Sequence, residues 1–358
     1  MFKNQKPSFN RDEALNKKTS FKLTNKTIIV LLSVALVISI IIFSFFYSRL
    51  NQKHQELSEK FRDLETEFID LVENNIIIPS DDFMSSTNEY QTVIEFAQNY
   101  FSDKFVYRGY GGIKFVDLIE GLSLNKYNDA DKMRNIDGRL YYRDQSQNFT
   151  SSLGIDVSHH QKEIDWQIVK EDGIDWAMIR LGYRGYMSGE IHLDEQYLNN
   201  IMAVNEHNLA SGVYFYSAAT STLEAIEEAE FVLDNIEEYE INLPVAFDME
   251  DIGGEQSRTH ALSVEEKTEI TKAFCDTIIE NGYKCLVYGN SKWLMERLNF
   301  EEIAEYGIWH AQYSYYNFPY ELLMYQYTSS ASVAGVAGNV DLNVGFFNLD
   351  EDGEMIYD

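Results

Sequence analysis

The pattern of apolar and polar positions changes sharply along the chain, and each change predicts a different kind of element. Thr27 to Tyr47 reads TIIVLLSVALVISIIIFSFFY, without a charge, a proline or a glycine. A helix of that length rises roughly 32 Å, enough to cross a bilayer core of about 30 Å. The run is too long for the centre of a signal peptide, and the SRLNQK after it lacks a small-x-small cleavage site. A buried core helix is seldom apolar on every face over this length. The expectation is a retained transmembrane helix over 27–48. Beyond it, Leu57, Phe61, Leu64, Phe68 and Leu71 recur at steps of four and three among Glu, Lys and Gln. This is heptad spacing on a helical stalk over 49–75. Two readings stay open: a short parallel coiled coil that makes a homodimer through residues 50–72, or one amphipathic helix packed on its own stalk.

Residues 76–151 are less regular. Pro79 breaks the helical pattern, EYQTVIEFAQNYF is helix-like, and KFVYRGYGGIKFVDL reads as strand around a glycine turn. RGYGG lacks the following helix and lysine of a phosphate loop, so these are turn glycines. A small α+β spacer or an ordered stalk is expected. From Leu153 onward the alternation becomes regular. LGIDVS, DWAMIRLGY, ASGVYFYSA, LPVAFDME and KCLVYGN are strand-like, and each is followed by a helical segment. GIWHAQYS, LLMYQYTS and NVDLNVGFF then follow as strands with little helix between them. Repeated β/α alternation predicts a parallel sheet, and eight strands suit a barrel. The fold class is therefore α/β, an irregular (β/α)5(β)3 barrel over 152–358. An open doubly wound sheet is the alternative, but no glycine-rich nucleotide fingerprint follows the first strand.

Composition narrows the function. The net charge of −29 repels phosphate backbones and argues against a nucleic-acid partner. Residues 1–26 are the exception, with seven Lys or Arg against Asp12 and Glu13, and read as a basic cytoplasmic tail. Arg49, Lys53, Lys60 and Arg62 lie just downstream, so the charge bias across the span is modest. Two cysteines, Cys275 and Cys285, exclude a disulfide scaffold and a cysteine-built zinc site, and read as buried free thiols. The 24 Tyr and 22 Phe suit a surface on which sugar faces stack.

Catalytic groups of β/α barrels sit at the C-terminal ends of strands. Acidic residues occupy three such places: Asp156 in LGID, Asp248 and Glu250 in VAFDME, and Asp341 in NVDLN. A strand period of two puts Asp248 and Glu250 on one face. Two close carboxyls cannot both ionise freely, so one is held protonated beside an ionised partner, as glycosidic cleavage requires. D-x-E is also an ordinary polar strand end. The calcium-loop pattern, histidine spacings for zinc and the Gly-x-Ser-x-Gly elbow are all missing from the sequence. No metal and no cofactor is expected.

GIDVSHHQKEIDW, YFYSAATS, PVAFDME, VYGNSKW, IWHAQY and YQYTSSASVAGVAGNVDLN occur in this order between Leu153 and Phe347. Together they resemble the signatures of glycoside hydrolase family 25, the Chalaropsis-type lysozymes or N-acetylmuramidases. The resemblance implies a flattened barrel of five β/α units and three strands. It implies Glu250 as general acid/base, Asp248 as the carboxylate that stabilises the reaction or attacks, and Asp156 and Asp341 as further acids of the pocket. Tyr288, Trp309 and Gln312 match the family's groove, and Tyr214 and Tyr216, alternate residues on one strand face, line it in the same way; for each of these tyrosines core packing is the open alternative. The implied partner is the glycan strand of peptidoglycan, cut at the β-1,4 bond after N-acetylmuramic acid. Wall access then sets the orientation: a single-pass protein of the cell membrane, N-terminus in the cytoplasm and barrel outside. Two departures stand out. Lys162 replaces a usual glycine, and His310 replaces a frequent branched aliphatic. A non-catalytic wall-binding module is the competing class, although all four acids are intact.

Overall fold

The computed structural model describes residues 43–44, 46–55, 94, 97–98, 101–147, 149–313, 315–350, 353 and 355–356. The chain divides into two compact units, Met1–Ile76 and Ile77–Asp358. In the first, residues 43–44 and 46–55 are helical and exposed. The rest of the expected span, the heptad positions and the basic tail lie outside the described residues. Among the described residues, no helix is long and apolar enough to cross a membrane.

In the second unit, two hairpin-like sheets come first. Strands β1 (Lys104–Gly109) and β2 (Gly112–Asp117) pair antiparallel across a two-residue turn. Strands β3 (Met133–Ile136), β4 (Arg139–Asp144) and β5 (Phe149–Thr150) form a second antiparallel sheet. The barrel follows, with β6 (Ser152–Val157), α1 (Trp166–Glu171), β7 (Trp176–Arg184), a side strand β8 (Ile191–Leu193), α2 (Tyr197–Glu206) and β9 (Ala210–Tyr216). Then come α3 (Thr222–Ile236), β10 (Val245–Asp248), α4 (Val264–Glu280), β11 (Cys285–Asn290), α5 (Ser291–Glu296) and α6 (Phe300–Ile303). The strands β12 (Ile308–Ala311), β13 (Met324–Ala331) and β14 (Val340–Gly345) complete the barrel, and a short antiparallel pair, β15 (Asn348–Leu349) and β16 (Met355–Ile356), follows it.

The parallel run β6, β7, β9, β10, β11, β12, β13 is sealed by β14, which pairs antiparallel with both β13 and β6. The sheet is thus closed, and the open doubly wound alternative falls. The sequence explains the closure locally. SLGIDV in β6 is buried at all six positions because helices cover one face and the barrel interior the other. Four of these six helices start at side-chain caps: Asp165 before α1, Ser221 before α3, Asn290 before α5, and Ser263 with Glu266 in a capping box before α4.

Two apolar layers result. Outward strand residues such as Ile155, Val213 and Phe247 pack under the helices, and inward residues Trp176, Met178, Ala246, Leu286, Trp309 and Met324 fill the barrel. Gly154 allows the tightest of these contacts, since a Cβ there would come within 2.2 Å of the Trp176 ring. Residues 101–151 share the outer layer. Tyr127 stacks on Phe346 at 4.5 Å, Asn125 Nδ2 donates to the Phe318 carbonyl at 2.9 Å, and Asn317 Nδ2 donates to the Val106 carbonyl at 2.6 Å. Cys275 and Cys285 are both buried and free.

The two unusual residues have structural explanations. His310 points outward from β12, fully buried. Its Nε2 lies 2.9 Å from Ser291 Oγ, its ring stacks on Phe318, and burial lowers its pKa to about 3. It is a neutral packing residue. Lys162 ends the 3-10 turn His159–Gln161 with φ 58° and ψ −140°, a conformation natural to glycine and costing other residues about 1–3 kcal/mol. Lys162→Gly is therefore expected to raise the unfolding midpoint by a few degrees in a thermal melt of the full chain. An unchanged or lower midpoint would show that the turn carries no such strain.

Candidate active site

Each of the four acids occupies the C-terminal end of a parallel strand or its neighbour at one mouth of the barrel. Asp248 ends β10, in register with Tyr216 on one side and Tyr288 on the other. Asp156 lies near the end of β6, directly opposite Asp341 of antiparallel β14. Glu250 follows two residues beyond Asp248, on the exposed rim, whereas Asp156 and Asp248 are each 5% exposed. Beneath them lie the aromatic residues expected at the groove. Trp309 meets Tyr288 edge-on at 4.8 Å and Tyr214 at 5.9 Å, and is itself buried in the barrel core. Gln312 is tied through its backbone, its N–H to the Gln326 carbonyl and its own carbonyl to the Tyr325 hydroxyl.

The acids fall into two hydrogen-bonded pairs. In the first, Asp156 Oδ2 accepts from Gln326 Nε2 and Asn343 Nδ2, each at 2.8 Å. Both amides are oriented from behind. The Tyr288 and Tyr313 hydroxyls each donate to Gln326 Oε1 at 2.8 Å, and Trp309 Nε1 donates to Asn343 Oδ1 at 2.8 Å. Asp341 bonds Asp156 as well. Burial and the Asp156 charge push the Asp341 pKa up to about 8, while burial also raises Asp156. The shared proton therefore resides on Asp341, and Asp156 is the acceptor.

In the second pair, burial first, then the charges of Glu250 and Asp156, raise Asp248 well above the usual carboxylate range. Glu250 is also raised, by desolvation of its carboxyl and by Asp156, and is drawn back down by Asp248's hydrogen bond and by the Lys292 ammonium. Two cations serve this acid cluster, Lys292 near Glu250 and Arg180 near Asp248. Arg180 is held by Asp194, with Nε 2.8 Å from Oδ2. The end of β10 is fixed by Ser217, whose N–H donates to the Asp248 carbonyl at 2.7 Å and whose hydroxyl bonds buried Glu228 at 2.6 Å. Glu228 in turn accepts from Arg184 Nε at 2.6 Å.

Two buried polar atoms at the mouth have no protein partner among the described residues: Asp248 Oδ1 and the Tyr216 hydroxyl. Buried polar atoms are nearly always paired, so these are groups for a bound molecule to satisfy. The arrangement can deliver a proton from an open carboxyl while a buried neighbour stabilises what forms beneath it. No group of three or more metal-ligating side chains occurs among the described residues.

Raised carboxyls make the fold pH-dependent. Asp341 binds its proton up to about pH 8 when folded but only to about 3.8 when unfolded. The native state therefore holds more protons across that window, and stability falls as pH rises through it. Asp341→Asn should flatten the dependence of urea-unfolding stability between pH 4.5 and 8. An unchanged slope would place the proton elsewhere.

The four acids, Tyr214, Tyr216, Tyr288 and Trp309 lie together at this mouth. Gln326, Asn343, Tyr313, Arg180 and Lys292 were not anticipated. Asn343 was within reach of the same period-two argument, since it lies two residues after Asp341 on the same strand face. Gln326 carried only the polar position in MYQYT as a signal.

The sequence model for glycosyl hydrolases family 25 matches residues 155–336, just over half of the chain. Among characterised relatives, the autolytic lysozyme of Clostridium acetobutylicum is 26% identical over 192 residues, covering 53% of this chain and 54% of that protein. The chain thus spans about half the length of that relative. The uncharacterised YegX of Escherichia coli K12 is also 26% identical, over 53% of this chain and 68% of its own length. Among solved structures, the modular autolysin LytC of Streptococcus pneumoniae, in complex with a synthetic peptidoglycan ligand, is 24% identical. It covers 68% of this chain and 57% of that one at a TM-score of 0.49. With its family motifs in order and its matched region spanning the barrel from β6 into the loop before β14, the chain belongs to glycosyl hydrolase family 25.

Proposed function

We propose that the protein is a membrane-anchored peptidoglycan hydrolase that cuts the β-1,4 bond between N-acetylmuramic acid and N-acetylglucosamine with retention. The observation that carries this reading is the convergence of Asp156, Asp248, Glu250 and Asp341 at the mouth of a family 25 barrel. Glu250, the most open of the four, protonates the glycosidic oxygen and afterwards takes a proton from the incoming water. Asp248 stabilises the other side of the reaction. Its raised proton affinity makes it a poor free nucleophile and a good hydrogen-bonding partner. That favours attack by the substrate's own N-acetyl group, which Asp248 holds against the anomeric carbon. A covalent sugar trapped on Asp248 with a slow substrate would overturn this route. The Tyr216 hydroxyl and Asp248 Oδ1 gain partners from the bound sugar, while Tyr214, Tyr288, Trp309 and Gln312 shape the floor and wall of the groove.

The uncharged run Thr27–Tyr47 anchors the enzyme in the cell membrane, with the basic tail in the cytoplasm and the barrel outside. The heptad positions of 50–72 pair two such chains. Tethering keeps an acidic enzyme concentrated near an anionic wall that would otherwise repel it. The test is digestion of purified peptidoglycan by the full-length chain, followed by borohydride reduction of new ends. Reduced N-acetylmuramic acid is the expected product. Reduced N-acetylglucosamine would move the cut to the other bond, and binding without new ends would make the protein a wall-binding module. Release from membranes by alkaline carbonate would refute the anchor.

A further inference from the structure

The hairpin β1–β2 precedes the region matched by the family, yet its turn sits on the rim of the acid cluster. The Tyr110 hydroxyl donates to Asp251, the residue after Glu250, and Arg297 Nε donates to the same carboxylate oxygen at 2.8 Å. The Tyr110 N–H donates to Glu296 Oε1 at 3.1 Å, and the Glu296 carboxylate also bonds the Tyr107 hydroxyl. The hairpin is therefore clamped onto α5 and the loop beyond β10. The Tyr110 ring lies 4.2 Å from the Arg297 guanidinium and 4.9 Å from the Lys292 ammonium.

Lys292 differs from the other cations here. Arg297 is neutralised by Asp251, and Arg180 by Asp194. Lys292 is half-buried, and no carboxylate among the described residues lies within ion-pair distance of it. In a chain of net charge −29, an ammonium held over a ring beside Glu250, without an ion-pair partner, is a surplus positive charge. Asp251, on the loop beside Glu250, is already paired with Arg297 and is not available to Lys292. Holding the lysine by a ring rather than by a carboxylate fixes its position and preserves its charge.

We propose that Lys292, positioned by Tyr110 of the β1–β2 hairpin, forms a specificity subsite for a carboxylate carried on a substituent of the substrate glycan beside the scissile bond. This rests on the peptidoglycan reading above. The hairpin contributes the positioning ring and Lys292 the contact, so the segment before the family domain helps to select the substrate. A charge-assisted bond of this kind is stronger than a neutral one and would discriminate between charged and capped strands.

The test compares peptidoglycan with its free carboxyls intact against the same material with those carboxyls capped as methylamides. The enzyme is the full chain, unchanged or as Lys292→Gln. On intact strands, Lys292→Gln should lower kcat/KM about tenfold, with unchanged thermal unfolding, and Lys292→Arg should restore most of it. On capped strands the unchanged enzyme should drop by a similar factor, and Lys292→Gln should cost much less there than on intact strands. Tyr110→Leu should follow Lys292→Gln in part. Equal losses for Lys292→Gln on both substrates, with a displaced pH profile, would mean that Lys292 acts only through Glu250 and would overturn the proposal. So would indifference of the unchanged enzyme to capping. If the unchanged enzyme cuts neither substrate, the hydrolase reading itself fails and this inference falls with it.

Discussion

Replacing Glu250 with Gln is expected to slow peptidoglycan cleavage about a thousandfold while leaving strand binding within a few-fold. General acid catalysis contributes typically 10²–10⁴ to a rate, and a glutamine fills the same space without an acidic proton. The loss belongs in kcat, because the proton is needed only as the glycosidic bond breaks. The fold should tolerate the change. Glu250 sits on the exposed rim, and removing its charge relieves the repulsion that raises Asp248. A thermal midpoint equal to or above that of the unchanged chain is therefore expected beside the lost activity. The pH dependence has a defined direction too. Glu250 titrates above an ordinary glutamate, so activity should persist into less acidic solution and fall as pH rises through that raised value. Retention of more than a tenth of the rate in Glu250→Gln would require another proton donor and would remove the central assignment.

The second large effect concerns where the folding unit begins. Deleting residues 1–151 should yield insoluble or loosely packed protein, whereas deleting residues 1–76 should leave a cooperative fold. The matched family region starts at residue 155, but the outer core does not. Phe105, Tyr107, Tyr127, Tyr142 and Phe149 belong to the same buried layer as Phe318, Tyr320 and Phe346 of the barrel side. Losing that cover exposes the last three rings at about 1.5–3 kcal/mol each, against a net stability of roughly 5–15 kcal/mol for a domain. It also strips the Phe318 carbonyl of Asn125, the Tyr320 hydroxyl of the Ile119 N–H, and the Tyr327 hydroxyl of the Leu140 N–H. Near-ultraviolet circular dichroism and urea unfolding of the two fragments would decide it. A sharp, native-like transition in 152–358 would show the barrel to be self-sufficient.

Much of this molecule could be read from local pattern. Alternation at period two, the helical segments between strands and their caps fix which stretches become strand or helix and which face each side chain takes. Five β/α units followed by three strands are countable before any contact is known, whereas Glu250 lies past the end of β10, so strand alternation alone does not place it beside Asp248. Backbone conformation at Lys162 is less accessible, because a positive φ shows only in the turn that imposes it.

Pairing between distant segments is decided by barrel closure. Asp156 and Asp341 are 185 positions apart in number, yet antiparallel β14 sets them opposite each other and makes their protonation mutual. The amides of Gln326 and Asn343 become donors to Asp156 only because tyrosine hydroxyls and a tryptophan N–H occupy their oxygens from behind. Tyr110 reaches Asp251 because the Phe105 ring packs on Phe318 and Asn317 bonds the Val106 carbonyl, which seats the hairpin on the barrel. Local sequence sets the type and face of each element through short-range sterics and solvation. Which elements meet depends on how the whole apolar surface is buried at once, and that is a property of the tertiary structure alone.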